Sequence, residues 1–168
     1  MARKTREVRR TLLVVGEGDC EVAFLRHLRE AYCSQHQGVN VTIRNAHGKG
    51  PENVVEQTRR KVRSYSYDQV VSLLDTDIPW STAVKKVAKQ AKIEMVGSTP
   101  CLEGLLLSIL GERASEQSTE CKKTLRLRLG VDMTERDHYA RHFPKMLLDQ
   151  SRLRISELDR LLGFFEGG

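Results

Sequence analysis

The residues with the clearest chemical potential are two aspartates, Asp75 and Asp77, which end the short apolar run Val70–Leu74. Runs of Val and Leu that stop at polar residues predict buried strands of a parallel sheet, and ligands collect beyond the carboxyl ends of such strands. Two carboxylates at i and i+2 can point the same way, where they repel each other unless a cation lies between them. Mg²⁺ suits such a site because it takes oxygen ligands and keeps several waters. The pair therefore predicts a divalent-metal site for phosphate chemistry.

Three further strands are predicted, and helical patterns follow them. Thr11–Val15 runs into Gly16 and Glu17, Val39–Ile43 alternates as an edge strand does, and Ile93–Val96 leads to a Leu-rich helix that contains Glu103. Strands that alternate with helices predict an α/β fold with a mainly parallel sheet and helices on both faces. Glu17 and Glu103 are then expected at the same sheet edge as the aspartates.

Length and composition limit the class of protein. A chain of 168 residues suffices for one α/β domain with a real core. No apolar run is long enough to span a bilayer, and four scattered cysteines without a C-x-x-C spacing favour a reduced, cytoplasmic setting. The net charge of +6 favours a nucleic acid or other polyphosphate partner, although solvated lysines and arginines explain it equally well.

Two basic segments are candidates for contact with nucleic acid. The first is residues 1–10, interpreted as a flexible basic arm whose candidate contacts are Arg3, Lys4 and Arg6; a solubilising tail is the alternative. The second is the loop that holds His47 and Lys49 between the second strand and its helix. Its Gly-Lys pair lacks the spacing of a phosphate-binding P-loop, so a nucleoside-triphosphatase is rejected.

Beyond residue 111 the pattern weakens. Residues 124–129 alternate in a way that is ambiguous between strand and helix, and apolar residues in 132–162 indicate one or two closing helices. We interpret 112–168 as a mostly helical extension that packs on the same domain. Its Leu-rich character leaves room for a homodimer.

The order of these acidic residues resembles the Toprim domain, the catalytic fold of topoisomerases, primases and OLD-family nucleases. The first matching segment is Val14–Glu21, an apolar strand followed by Glu-Gly and further acids. Leu73–Asp77 is similar to the Asp-x-Asp strand of the family. Ser98–Leu107 resembles the turn into a Leu-rich helix of the RloB-like and OLD-nuclease-like branch, with Leu102 in an aromatic position and Gly104 as a departure. The likeness covers about residues 11–111, the expected Toprim-like domain.

The resemblance implies Mg²⁺-dependent phosphodiester chemistry, with Mn²⁺ as a substitute. Asp75 and Asp77 would hold the metal, joined by Glu17 or Glu21, and Glu103 would add to the shell. Glu17 would be the general acid or base, so the implied catalytic residues are Glu17, Asp75 and Asp77. The substrate would be DNA or RNA, and RloB-like proteins further imply an ATPase partner in phage defence.

Other classes fit less well. A receiver domain has acids after strands one and three but lacks the paired strand-three acids, and a haloacid-dehalogenase-like phosphatase carries its Asp-x-Asp on the first strand. The non-enzymatic alternative is a Toprim-like nucleic-acid-binding or assembly module whose acids are structural.

Overall fold

The protein is an α/β fold built on a four-stranded parallel sheet. The computed structural model describes residues 9–33 and 38–168, so most of the expected basic arm lies outside the described residues. The strands are paired in the order β2-β1-β3-β4, a Rossmann-like arrangement. The strands are β1 (Arg10–Gly16), β2 (Val39–Asn45), β3 (Gln69–Asp75) and β4 (Glu94–Ser98). The helices are α1 (Asp19–Tyr32), α2 (Gly50–Ser64), α3 (Thr82–Gln90), α4 (Leu102–Ile109), α5 (Ser118–Leu129), α6 (Arg136–His142), α7 (Lys145–Ser151) and α8 (Ser156–Phe165).

The strand sequences match their places in the sheet. The central strands β1 and β3 are covered on both faces and are therefore almost continuously apolar. The outer strand β2 alternates instead, with Val41 and Ile43 buried and Arg44 exposed, so the expectation of an edge strand is confirmed.

Helices cover both faces of the sheet, as predicted. Leu12 and Val14 of β1 point into a core formed with α1, α4 and the helices of the C-terminal third. Leu13 and Val15, which alternate with them, point into a smaller core formed with α2 and α3. The period-two alternation of a strand thus divides the interior into two apolar layers.

The C-terminal third completes the larger core. Tyr139 of α6 and Leu162 of α8 are buried in the same cluster as Leu12. His27 Nε2 lies 2.7 Å from the Phe143 carbonyl oxygen, and the Tyr139 hydroxyl donates a 3.1 Å hydrogen bond to the Cys20 carbonyl. These contacts show that α6–α8 pack directly on α1.

Several element boundaries differ from expectation. The helical pattern after Gly18 predicts a first helix that ends near 34–38, but α1 ends at Tyr32. The ambiguous 124–129 stretch lies in helix α5. The helix is favoured there because Cys121 and Leu125, four residues apart, are buried together while Leu127 is 78% exposed. Three closing helices replace the predicted one or two. Among the described residues, no helix is both long and apolar enough to cross a membrane.

Helix α3 begins at Thr82 and not near Ile78. The Ser81 hydroxyl accepts a 3.1 Å hydrogen bond from the Val84 amide, which caps the helix. Trp80 precedes the helix, and its Nε1–H donates a 3.0 Å hydrogen bond to the Asp75 carbonyl oxygen. Trp80 also packs against the smaller core and is therefore a packing residue.

The departure at Gly104 from the Toprim-like pattern has a steric reason. A Cβ at Gly104 would lie 2.6 Å from both Pro100 Cδ and the Thr99 carbonyl oxygen. Helix α4 therefore lies against the turn that follows β4, and only glycine permits this approach.

We expect Gly104→Ala to lower the free energy of unfolding by about 1–3 kcal/mol, because overpacking forces the turn away from α4. Chemical denaturation measures this change. The control is Gly163→Ala in α8, where an added Cβ meets nothing within 4 Å. That variant should be neutral or more stable by up to about 1 kcal/mol. Equal stability of the two variants would contradict the packing argument.

Candidate functional site

Four carboxylates converge where β1, β3 and β4 end. Glu17 directly follows β1, Asp75 is the last residue of β3, and Glu103 is in the first turn of α4 after β4. Glu21 lies in the first turn of α1, close enough for its charge to act on Asp75. Parallel pairing brings these chain segments together because all the carboxyl ends lie on one edge.

Asp75 connects the three strand ends. Its backbone N–H donates a 3.0 Å hydrogen bond to Glu17 Oε2, and its Oδ1 accepts a 3.1 Å hydrogen bond from the Leu102 amide at the start of α4. The amides of Thr76 and Asp77 donate to the Pro100 carbonyl oxygen over 3.0 and 2.9 Å. The position of Asp75 is therefore fixed by β1, β4 and α4 together.

Glu21 is held beneath this edge and is only 7% exposed. Its Oε2 accepts a 2.9 Å hydrogen bond from the Gly18 amide, which caps the start of α1. A Cβ on Gly16 would lie 2.8 Å from the Glu21 Cβ, so the strand can pass this close only with glycine. The two glycines at 16 and 18 thus allow the chain to pass close to the Glu21 side chain.

Asp77 is placed differently from the other acids. It is exposed and lies in the turn beyond β3. Its Oδ1 accepts a 2.8 Å hydrogen bond from the Ile78 amide, and its Oδ2 accepts one of 2.7 Å from the Ser118 hydroxyl of α5. Both Asp77 oxygens therefore already have partners, and the two aspartates do not form the symmetric pair that their spacing suggested.

The site carries excess negative charge. Burial, followed in order of effect by the neighbouring charges of Glu21, Glu17, Asp77 and Glu103, raises the pKa of Asp75 to about 8. Burial also raises the pKa of Glu21, reinforced by Glu103 and Glu17. Each carboxylate disfavours ionisation of the others, so a cation placed among them would relieve a large repulsion.

The residues could hold a metal only through a small number of ligands. Within the described part of the chain, no three His, Cys, Asp or Glu side chains are grouped closely enough to bind a metal ion. However, Asp75 Oδ2 and Glu17 Oε1 make no hydrogen bond there, and the buried Ser98 hydroxyl beside Asp75 lacks a partner. Mg²⁺ commonly uses one or two carboxylates and several waters. The donor set fits such a hydrated ion.

Sequence reasoning missed the contribution of α5. A cavity of about 400 Å³ is lined by Glu103 and, from α5, by Lys122 and Arg126. Burial lowers the pKa of Lys122, but the nearby charges, Glu103 first, outweigh this and raise it overall. Had α5 been assigned as a helix from Ser118, Ser118 and Lys122 would have fallen on one face at i and i+4.

The loop between β2 and α2 lies next to the site. His47 and Lys49 are exposed and both adopt the left-handed conformation, with φ of 60° and 69°. The Gly48 amide between them donates a 2.7 Å hydrogen bond to the Glu17 carbonyl oxygen. The loop is thus attached to a candidate catalytic residue, while Arg3, Lys4 and Arg6 lie outside the described residues.

Comparison of the chain with protein-family models, with curated proteins and with solved structures finds no match. The structure itself defines the class as an α/β protein with a parallel, Rossmann-like sheet. Its acidic cluster lies at the carboxyl edge of that sheet, where α/β proteins bind their ligands.

We expect Asp75→Asn to stabilise the metal-free protein at alkaline pH. The folded pKa of Asp75, about 8, exceeds the unfolded value of 3.8, so folded protein loses stability as pH rises between these values. The variant removes the buried charge but keeps an oxygen for the Leu102 amide. Denaturation in EDTA should show a gain on the order of 2 kcal/mol at pH 9 that disappears near pH 4.

Asp68→Asn is the matched control with the opposite sign. Hydrogen bonds from the Thr11 amide and hydroxyl lower the pKa of Asp68, so its stabilising effect is present above pH 4 and lost as pH falls. This variant should be less stable than wild type at pH 9. If Asp75→Asn also destabilises the protein at pH 9, the interpretation of Asp75 as a strained carboxylate is wrong.

Proposed function

We propose that the protein is an Mg²⁺-dependent nuclease of the Toprim type that cleaves phosphodiester bonds in DNA or RNA. One observation carries the proposal: Glu17, Glu21, Asp75 and Glu103 meet at the carboxyl edge of a parallel sheet with their charges uncompensated. A structural cluster of acids would be expected to have neutralising arginine or lysine partners at salt-bridge distance. Among the described residues, none of these four carboxylates has such a partner.

The residue that would hold the metal directly is Asp75, with Glu17, Glu21, Asp77 and Glu103 as further or water-bridged ligands. When bound, Mg²⁺ would supply charge stabilisation for the phosphate oxygens and a lowered pKa for a bound water. The backbone hydrogen bonds to Asp75 and Glu17 would fix the direction of their remaining oxygens. These two residues therefore provide a rigid support that needs little reorganisation.

Glu17 is the best candidate for proton transfer at the scissile bond. One of its oxygens is fixed by the Asp75 amide, and the other makes no hydrogen bond among the described residues. Half-buried position, fixed orientation and one accessible oxygen are what a general base or acid needs. The carboxylate can accept a proton from an attacking water or return one to the leaving oxygen.

The surroundings favour a polyanionic substrate. His47 and Lys49 flank the Glu17 backbone, and Lys122 and Arg126 line the cavity on the Glu103 side. Cations on both sides of an acidic site can hold the phosphates on either side of the bond to be cut. A partner ATPase, as the RloB-like resemblance implies, would then control access to this site.

A non-catalytic nucleic-acid-binding or assembly module is the second candidate. It is favoured by the two hydrogen bonds that occupy Asp77 and by the absence of a three-ligand group within residues 9–33 and 38–168. In that case the acids would serve only to hold strand ends and helix starts together. Metal dependence separates the two candidates.

Purified protein should cleave labelled single-stranded or duplex DNA or RNA with Mg²⁺ or Mn²⁺ and not in EDTA. Glu17→Gln and Asp75→Asn should each lower the rate at least about a hundredfold, because they remove a proton acceptor and a metal ligand. Gel-based cleavage assays measure the rate, and circular dichroism checks that the variants are folded. Asp137→Asn, on the exposed face of α6, is the control and should cleave like wild type.

Metal binding tests the site independently of cleavage, which matters if cleavage requires a partner protein. Mn²⁺ should raise the melting temperature of wild type but not of Asp75→Asn, and a Mn²⁺-soaked crystal should show the ion at Asp75. Metal located elsewhere, or full activity in both acidic variants, would reject the assigned site. Affinity for nucleic acid that persists in EDTA, with no cleavage under any condition, would favour the binding module.

A further inference from the structure

The cavity between α5 and the acidic site has the composition of a nucleotide subsite. Its volume is about 400 Å³, within the range of small-ligand pockets. Its apolar lining is formed by Leu125, Met133 and Val131, and the first two side chains are buried; Glu103 and Asp132 add two carboxylates. Because Glu103 lines it, the cavity adjoins the candidate catalytic edge.

The lining also carries two cations, and the nearby charge of Glu103 acts on one of them, Lys122. Lys122 and Arg126 are exposed and lie one helical turn apart on the same side of α5. Among the described residues, neither forms an ion pair or a hydrogen bond, whereas the nearby Arg128 is paired with Glu112 at 2.5 Å. Two unpaired cations next to an apolar cavity are suited to hold a phosphate while a base enters the interior.

We propose that this cavity binds one unpaired nucleotide of a polynucleotide, with its base against Leu125 and Met133 and its phosphate at Lys122 and Arg126. The inference rests on the proposed nuclease function, because the cavity then receives the nucleotide next to the scissile bond. A base that is stacked and paired in a duplex cannot enter a cavity of this size without leaving the helix. The preferred substrate is therefore single-stranded DNA or RNA, or an unpaired loop.

The segment that follows α5 forms part of the cavity wall. Gly130 ends α5 in the left-handed conformation, with φ of 66°, and the next three residues, 131–133, line the cavity. Asp132 accepts a 2.9 Å hydrogen bond from the Thr134 amide, which orders this segment.

Binding of five-nucleotide single strands in EDTA tests the subsite separately from cleavage. Fluorescence anisotropy with DNA and RNA strands, and with a hairpin duplex of the same sequence, should show tighter binding to the single strands. Comparison of the DNA and RNA strands shows which sugar the site accepts. Lys122→Ala and Arg126→Ala should each weaken single-strand binding about tenfold, as expected for loss of one charged phosphate contact.

Lys123→Ala is the matched control, because it removes the same charge from an exposed position of α5 that does not line the cavity. It should change the affinity less than about twofold, apart from the general effect of net charge. Equal losses in all three variants would show a diffuse basic surface and overturn the subsite. Hairpin binding as tight as that of the single strands would overturn it as well.

Strands with one abasic position test whether a base enters the cavity. Removal of the base should weaken binding at a single position of the strand and leave the other positions unchanged. Uniform effects, or none, would show that only phosphate is bound and would reject the nucleotide subsite. If these binding results hold but no metal supports cleavage, the subsite stands and the nuclease proposal fails. If Lys122→Ala and Arg126→Ala bind single strands like wild type while the protein cleaves normally, the nuclease proposal stands and the subsite fails.

Discussion

The structure depends on how Asp75 is held at the end of β3. A buried carboxylate surrounded by other acids is unfavourable, and it persists only because its backbone and side chain are bound from three directions. Glu17 accepts a hydrogen bond from the Asp75 N–H, and the Leu102 amide donates one to the Asp75 side chain. The Pro100 carbonyl oxygen, in the turn after β4, accepts hydrogen bonds from the next two amides. These bonds connect β1, β3, β4 and α4 at one point, so Glu17 and the start of α4, which carries Glu103, are positioned together with Asp75.

This arrangement stores electrostatic strain in the part of the fold where α/β proteins bind ligands. The pKa of Asp75 is raised to about 8 by burial and by neighbouring carboxylates, and the starts of α1 and α4 supply partial positive charge that offsets only part of the repulsion. Strain of this kind is retained where a ligand relieves it. A hydrated divalent cation would relieve the repulsion among these carboxylates. The nuclease proposal therefore rests on the charge of the cluster and not on the sequence motif alone.

The C-terminal helices contribute residues that lie next to the acidic cluster. Helix α5 brings Ser118 to Asp77 and presents Lys122 and Arg126 to the cavity beside Glu103. Helix α6 fixes the start of α1 through the bond from Tyr139 to the Cys20 carbonyl. The last third of the chain therefore borders the acidic cluster as well as completing the core, because it supplies the cations and the cavity beside the acids.

Much of this could be predicted from residue patterns. Continuous apolar runs in β1 and β3, alternation in β2 and helical patterns between strands determined the parallel sheet and its two covered faces, because local burial dictates which residues each strand can carry. Glu17, Asp75 and Glu103 were placed at one edge by the same reasoning. Other features depend on contacts distant in the chain: the hydrogen bonds that occupy Asp77, the helix α5 with its cationic rim, and the close approach of Gly104 to Pro100. Tertiary packing alone decided them, because side-chain direction and cavity shape depend on which distant segments meet, and a periodic pattern records burial but not the identity of the partner.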